Sequence, residues 1–282
     1  MSKIGKQTDY MVDQLDRALQ SLILLVSVLD SLSTEVQNAI GSWQNSGCQT
    51  DTQLANDINR IAKAYEQQQG RDTQTCAQLY RGLYALTYAD HIHQAVHYSQ
   101  RAIELAPDQA AGWNQAGHGQ HQLGKLTKAI GHFKQAEDRA TKNMDKAFAS
   151  GNLGAIYLSQ QQLDHAEPYL LKALALNRTL KRQEAMACQY GNLASLYHAR
   201  DDLNKAEAHF LKAVAINEQL GRNEALASQY ANLGSIYQTQ KQPDKARGYY
   251  SQALRLLRQG HLDDGVDYVA QVQQAINALD NT

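Results

Sequence analysis

The stretch NLGAIYLSQQQLDHAEPYLLKALAL at residues 152–176 returns as NLASLYHARDDLNKAEAHFLKAVAI at 192–216 and as NLGSIYQTQKQPDKARGYYSQALRL at 232–256. In each copy a leucine and a small residue (Leu153-Gly154, Leu193-Ala194, Leu233-Gly234) precede a tyrosine, namely Tyr157, Tyr197 or Tyr237. An alanine follows at Ala166, Ala206 or Ala246, a step of 40 residues each time. Bulky Leu170, Phe210 and Tyr250 come four positions later, then Ala173, Ala213 and Ala253. Spacings of three and four put these residues on one stripe of a helix. Small residues at fixed places let two helices approach closely, and the large residue fills the gap beside them. Each copy therefore reads as an antiparallel helical hairpin.

The frame extends backwards through Trp113, Gly117, Ala129, Phe133 and Ala136, a step of 37 from Ala129 to Ala166. One unit earlier it persists as Leu83, Ala95, Ala102 and Pro107, 34 residues before. Self-similarity at such a period is the mark of a repeat architecture, here with five units. The series of Trp, Leu-Gly, Tyr, Ala, aromatic, Ala and Pro resembles the tetratricopeptide-repeat family over residues 73–258, although the first unit lacks the leading aromatic and the Leu-Gly pair. The 40-residue units, with inserts at 178–184 and 218–224, resemble the extended repeats of kinesin light chain. This resemblance implies an all-α, right-handed solenoid of helical hairpins.

Turn signals agree with the hairpins. Asp164, Asn204 and Pro243-Asp244 stand where second helices start, and caps or a first-turn proline are expected there. Pro168 is expected in a first turn as well. After Gln259-Gly260, residues Val266, Val269, Val272, Ile276 and Leu279 predict an amphipathic helix over 261–280 that covers the open end of the stack. Residues 1–70 form a separate helical region. Its apolar positions Val12, Leu15, Leu19, Leu22, Val26, Leu29, Val36, Ile40 and Trp43 follow heptad spacing. That stripe reads either as a cap on the first repeat or as a self-association surface that builds a homo-oligomer. A polar loop at 45–52 precedes a further helix over 53–69.

Composition narrows the function. With 27 Lys and Arg against 28 Asp and Glu, the formal net charge is -1, and no block of like charge occurs. Nucleic acid and anionic membranes need clustered positive charge, so neither is an expected partner. The apolar run from Leu22 to Leu29 is too short to span a bilayer and follows acidic residues that do not suit a signal peptide. Cys48, Cys76 and Cys188 are odd in number and form no CxxC, which fits a reducing cytoplasm. His91, His93, His97, His118, His121 and His132 have no carboxylate or cysteine converging with them in sequence, so no metal or other cofactor is expected. With no nucleophile elbow, phosphate loop or HExxH, the chain is not expected to be an enzyme.

The family resemblance places the residue before Leu-Gly on the concave side, and those residues are Asn152, Asn192 and Asn232. A side-chain amide both donates and accepts, so a ladder of them at repeat spacing can hold a peptide backbone whatever its sequence. The alternative is that each amide bonds a neighbouring helix carbonyl. Cys188, Ser195, Ser228, Ser235, Ala155 and Gly151 leave the rest of that face small and uncharged. Three amide contacts supply about 2–4 kcal/mol, against about 8 for a micromolar complex. Further anchors are expected from Tyr80, Arg81 and Tyr84, with Tyr88, and from Asn114, Gln115 and His118, with His121, unless the tyrosines only pack between hairpins. The carboxylate-clamp subgroup of the family carries groove Lys and Arg where this chain has Phe148, Cys188 and Ser228, so an acidic tail is not the expected ligand. An adaptor that binds an extended peptide or a partner helix follows. A peptide-gated regulator and a homo-oligomeric scaffold are the rival readings.

Overall fold

A computed structural model describes residues 73–259 and 266–280, with positions 56, 59, 60, 62, 63, 66 and 67 before them. The heptad stripe and the loop at 45–52 lie outside the described residues. Everything described is helix and turn. In chain order the helices are α1 (Thr73–Thr87), α2 (Ile92–Leu105), α3 (Ala110–Gln122), α4 (Leu126–Arg139), α5 (Asn143–Ser159), α6 (Leu163–Thr179), α7 (Gln183–Ala199), α8 (Leu203–Gln219), α9 (Asn223–Thr239), α10 (Pro243–Gln259) and α11 (Val266–Asp280). They fall into two compact units that divide within α5, after Asp145.

In the first unit α1 packs on α2, α2 on α3 and α3 on α4. In the second, α7 pairs with α8 and α9 with α10, α6 and α8 contact the helices that follow them, and α11 packs on α10. The small residues of the repeat do what their spacing requires. A Cβ added at Gly117 would lie 2.8 Å from the Phe133 ring, one at Gly154 2.6 Å from Leu170, and one at Gly234 2.7 Å from Tyr250. The core of the second unit runs from Ala194 through Phe210, Leu233 and Tyr250 to Val272 and Leu279, with Val269 and Ile276 partly buried against it. The last amphipathic stripe thus covers the apolar side of the final hairpin.

Hairpin turns close through one residue in the left-handed region: Gly124, Gln161, Asp201 and Lys241, with Lys181 and Gly221 between hairpins. Each is followed by a backbone N–H that reaches five residues back, as from Gln162 to Tyr157, Asp202 to Tyr197 and Gln242 to Tyr237, all 2.9 Å. This pattern satisfies the carbonyls a helix end leaves open. Pro243 opens α10 with Asp244 in its first turn, as expected, but the starts of α6 and α8 differ from the sequence expectation. Asp164 lies inside the first turn of α6, whose preceding Gln162 makes no side-chain cap. The carboxylate of Asp202, and not Asn204, caps α8 by accepting from the Lys205 N–H at 3.2 Å. The left-handed residues Gln161 and Asp201 stand two positions before the helices begin at Leu163 and Leu203, which places Asp164 and Asn204 inside the first turns. Pro168 sits beyond the first turn and inside α6. The helix continues through it without the N–H that would reach back one turn.

Candidate binding face

The first unit uses most of its candidate residues to hold itself together. Tyr80 is 2% exposed and its hydroxyl donates to Glu66 at 3.0 Å. Burial, reinforced by Glu66, pushes that phenol up to about 12. Tyr84 is 5% exposed and meets His118 Nδ1 at 3.3 Å, while Tyr88 meets His118 Nε2 at 3.2 Å and stacks on its ring. Burial holds His118 below the ordinary histidine range, with His121 adding to the effect. Asn114, 5% exposed, donates to the Asp145 carbonyl at 3.1 Å, and Gln115 donates to the Arg81 carbonyl at 3.1 Å. Arg81 is itself largely enclosed, and burial lowers its guanidinium against the opposing pull of Asp145. These side chains form a packed, hydrogen-bonded seam between α1, α3 and the start of α5.

A cavity of about 390 Å³ opens elsewhere in this unit, with Lys63, Glu66, Tyr80, His97, Tyr98 and Arg101 on its wall. Arg101 forms ion pairs with Glu66 and Glu104. Of the charges on its wall, Arg101 and Glu66 are thus paired with each other.

The second unit presents a different arrangement. Asn152 donates only to its own helix, to the Phe148 carbonyl at 2.9 Å. Among the described residues, Asn192 and Asn232 have no hydrogen-bond partner. All three are half-buried and stand at 40-residue spacing. Phe148, one turn before Asn152, is 40% exposed, and Cys188, one turn before Asn192, is an exposed free thiol. Beside them two glutamines interlock the first helices. Gln189 Nε2 would sit 2.9 Å from a Cβ at Gly151, and Gln229 Nε2 3.1 Å from one at Gly191. The Oε1 atoms of Gln189 and Gln229 are buried without a partner. Small residues at 151 and 191 therefore serve as notches for these amides and not only as open space.

A second repeated contact was unmarked in the sequence reading. The Tyr197 hydroxyl donates to Glu167 at 2.7 Å and that of Tyr237 to Glu207 at 2.5 Å, each joining a hairpin to the one before. Burial, reinforced by Glu167, pushes Tyr197 up to about 12, and the Tyr197 and Arg200 hydrogen bonds hold Glu167 below the usual carboxylate range. Tyr157, Tyr197 and Tyr237 also stack on Tyr169, His209 and Tyr249 at centroid distances of 5.7, 5.3 and 5.3 Å. The 40-residue spacing of Tyr197 and Tyr237, matched by that of Glu167 and Glu207, was the available signal. Among the described residues no group of three metal-ligating side chains converges, and no helix is long and apolar enough to cross a membrane.

Helical hairpins in register, with small residues where their helices cross, define a helical-repeat protein. Residues 149–180 and 185–259 match two family models, both described as tetratricopeptide repeat, and these segments are tetratricopeptide repeats. Solved structures share the fold. BtubC (BKLC) from P. vanneervenii aligns with a TM-score of 0.61 at 19% identity over 82% of this chain and 93% of its own. Pseudomonas aeruginosa pilF aligns at 0.62 and 16% identity over 86% and 96%. YrrB, described as a TPR protein with an unusual peptide-binding site, aligns at 0.52 and 18% identity over 78% and 99%. No curated protein matches this sequence.

Proposed function

We propose that the chain is a non-catalytic adaptor that holds a segment of a partner protein on the first-helix face of its second unit. The observation that carries this reading is the uncommitted state of the amide ladder: Asn152 is bonded only within its own helix, and Asn192 and Asn232 have no partner among the described residues. A half-buried amide that does no structural work is available to the backbone of a ligand. The description of YrrB as peptide-binding agrees with the use of this fold for such a task. In the first unit the same role falls less well on Tyr80, Tyr84, Asn114, Gln115 and His118, which are occupied by internal bonds, and Arg81 is a secondary candidate.

In this reading residues 73–258 are the binding solenoid, 261–280 cap its end, and 1–70 serve as a cap on the first repeat or as a self-association surface. The length of the 40-residue units supports kinship with the extended repeats of kinesin light chain, and the free thiols of Cys76 and Cys188 support a reducing, cytoplasmic setting. The test is a comparison of wild type with the N152A/N192A/N232A chain against peptides selected by the wild type. Loss of binding by at least about tenfold with an unchanged melting temperature is expected. Equal affinity in a folded triple variant refutes the ladder. Assembly measured with and without residues 1–70 separates the adaptor from the homo-oligomeric scaffold, and assembly measured with and without peptide separates it from the peptide-gated regulator.

A further inference from the structure

We infer that the segment held by the second unit is uncharged along its contact with the first helices. This rests on the binding reading above and specifies the ligand's chemistry. From Ala147 to Ser159 in α5, from Ala185 to Ala199 in α7, and from Ala225 to Gln240 through α9, the sequence contains no Asp, Glu, Lys or Arg. Charge is instead carried by the first turns of these helices, at Asp145, Lys146, Glu184 and Glu224, by the connecting turns, and by the second helices, with Asp164, Glu167, Lys172 and Arg178 in α6 and Lys205, Glu207, Lys212 and Glu218 in α8. Two of the arginines that flank the first helices are already paired. Arg200, at the end of α7, pairs with Asp164 at 2.6 Å and Glu167 at 2.5 Å. Arg222, just before α9, pairs with Glu184 at 3.1 Å.

A charged ligand residue laid on this face would lose hydration and find no opposite charge, which makes such a ligand costly to bind. Neutral residues incur no such loss. The partners on offer are amides at Asn152, Asn192 and Asn232, the exposed thiol of Cys188 and the apolar ring of Phe148, while the hydroxyls of Ser195 and Ser235 already bond to the Gly191 carbonyl and to Tyr250. They suit a backbone with small polar and apolar side chains, one of them large enough to reach Phe148. Selection works here by rejecting charge as much as by attracting a particular side chain. Because no ion pair forms with the ligand, affinity is expected to be indifferent to salt.

The test selects displayed random peptides against the full chain at pH 8, where histidine is neutral, with the N152A/N192A/N232A chain as counter-selection. Enriched peptides are expected to share no acidic or basic position. A synthetic representative is expected to keep its Kd within about twofold between about 50 and about 500 mM salt. One Glu or Lys placed at its centre should weaken it by about tenfold or more. The variant F148K/C188K, changed at two exposed positions, should reverse this preference and bind the Glu-bearing peptide more tightly than the neutral one. A shared acidic or basic position, or a salt dependence of about tenfold, overturns the inference while the binding reading stands. Absence of any enrichment over the triple variant overturns the binding reading, and the inference with it.

Discussion

Gly154→Ala and Gly248→Ala are the same chemical change in the interiors of two second-unit helices, yet the structure gives them opposite signs. In both, alanine restricts the unfolded chain and favours helix by about 0.5–1 kcal/mol. At Gly248 the new Cβ meets nothing within 4 Å, so that gain is realised in full. At Gly154 it lies 2.6 Å from Leu170 Cδ2, 2.7 Å from Cγ and 3.1 Å from the Leu170 backbone nitrogen. The Cδ atom can rotate away. The backbone nitrogen cannot, so α5 and α6 must separate by a few tenths of an ångström around a leucine that is fully buried. Overpacking of this kind costs about 1–3 kcal/mol, which leaves a net loss between about 0 and about 2.5 kcal/mol after the helical gain, about 1 at the middle of both ranges. Ala194 occupies the corresponding place in the next copy, so the hairpin can adapt and the variant is expected to fold. At about 2–4 °C per kcal/mol, Gly154→Ala should lower the midpoint of thermal unfolding and Gly248→Ala should raise it by a smaller amount. Circular dichroism on heating, checked by urea titration, measures both. A Gly154→Ala chain as stable as Gly248→Ala would show that the small residue of the repeat is not set by helix approach.

The amides of the two units should respond differently to truncation. Asn114→Ala removes a buried bond to the Asp145 carbonyl and is expected to cost about 1–2 kcal/mol in urea unfolding, whereas Asn192→Ala should stay within about 0.5 kcal/mol. Stability should also fall at both ends of the pH scale. The phenols of Tyr80, Tyr197 and Tyr230 are raised from 10.0 to about 12, so their contribution is complete below pH 10 and is lost as pH rises from there. Glu167 is depressed below 4.5 and His118 below 6.5, so their contributions hold above those values and disappear as pH falls through the folded-state ones. Urea midpoints between pH 4 and 11 test this, and a midpoint higher at pH 11 than at pH 8 would contradict it. In a Cys48→Ser background, a maleimide should modify Cys188 in the native protein and reach Cys76 only on unfolding, because the first is exposed and the second fully buried. Mass spectrometry after brief labelling distinguishes the two.

The hairpins were legible because packing in a repeat is local: Gly154 faces Leu170, Gly117 faces Phe133 and Gly234 faces Tyr250, each pair a fixed sixteen residues apart in the sequence. The last helix was legible for the same reason, as Val269, Val272, Ile276 and Leu279 lie on one stripe. Caps were misplaced because a residue in the left-handed conformation, such as Gln161 or Asp201, shifts the start of the next helix, and neither residue type announces that conformation. The contacts between successive hairpins were not read. Tyr197 with Glu167 and Tyr237 with Glu207 are separated by 30 residues, a distance at which neither side chain signals its partner unless two copies are compared for both positions at once.

One position of the repeat has two fates. Gln115 and Asn152 both precede the small residue of their repeat, Gly117 and Gly154 lying two positions on in each case. Gln115 carries one more methylene and reaches the Arg81 carbonyl on the first helix of the preceding hairpin. Asn152 turns to the carbonyl one turn back in its own helix, while the side chains of Asn192 and Asn232 take no partner among the described residues. The neighbouring glutamines Gln189 and Gln229 meanwhile fill the notches over Gly151 and Gly191, so the contact between successive first helices is secured without the asparagines. Division of labour follows from this. The glutamines fill the seam between the first helices of the second unit while Asn152, Asn192 and Asn232 stay out of it, so a ligand on those three amides would displace no contact between these repeats. A surface built in that way can exchange partners at little cost to its own stability, which is the physical property an adaptor requires.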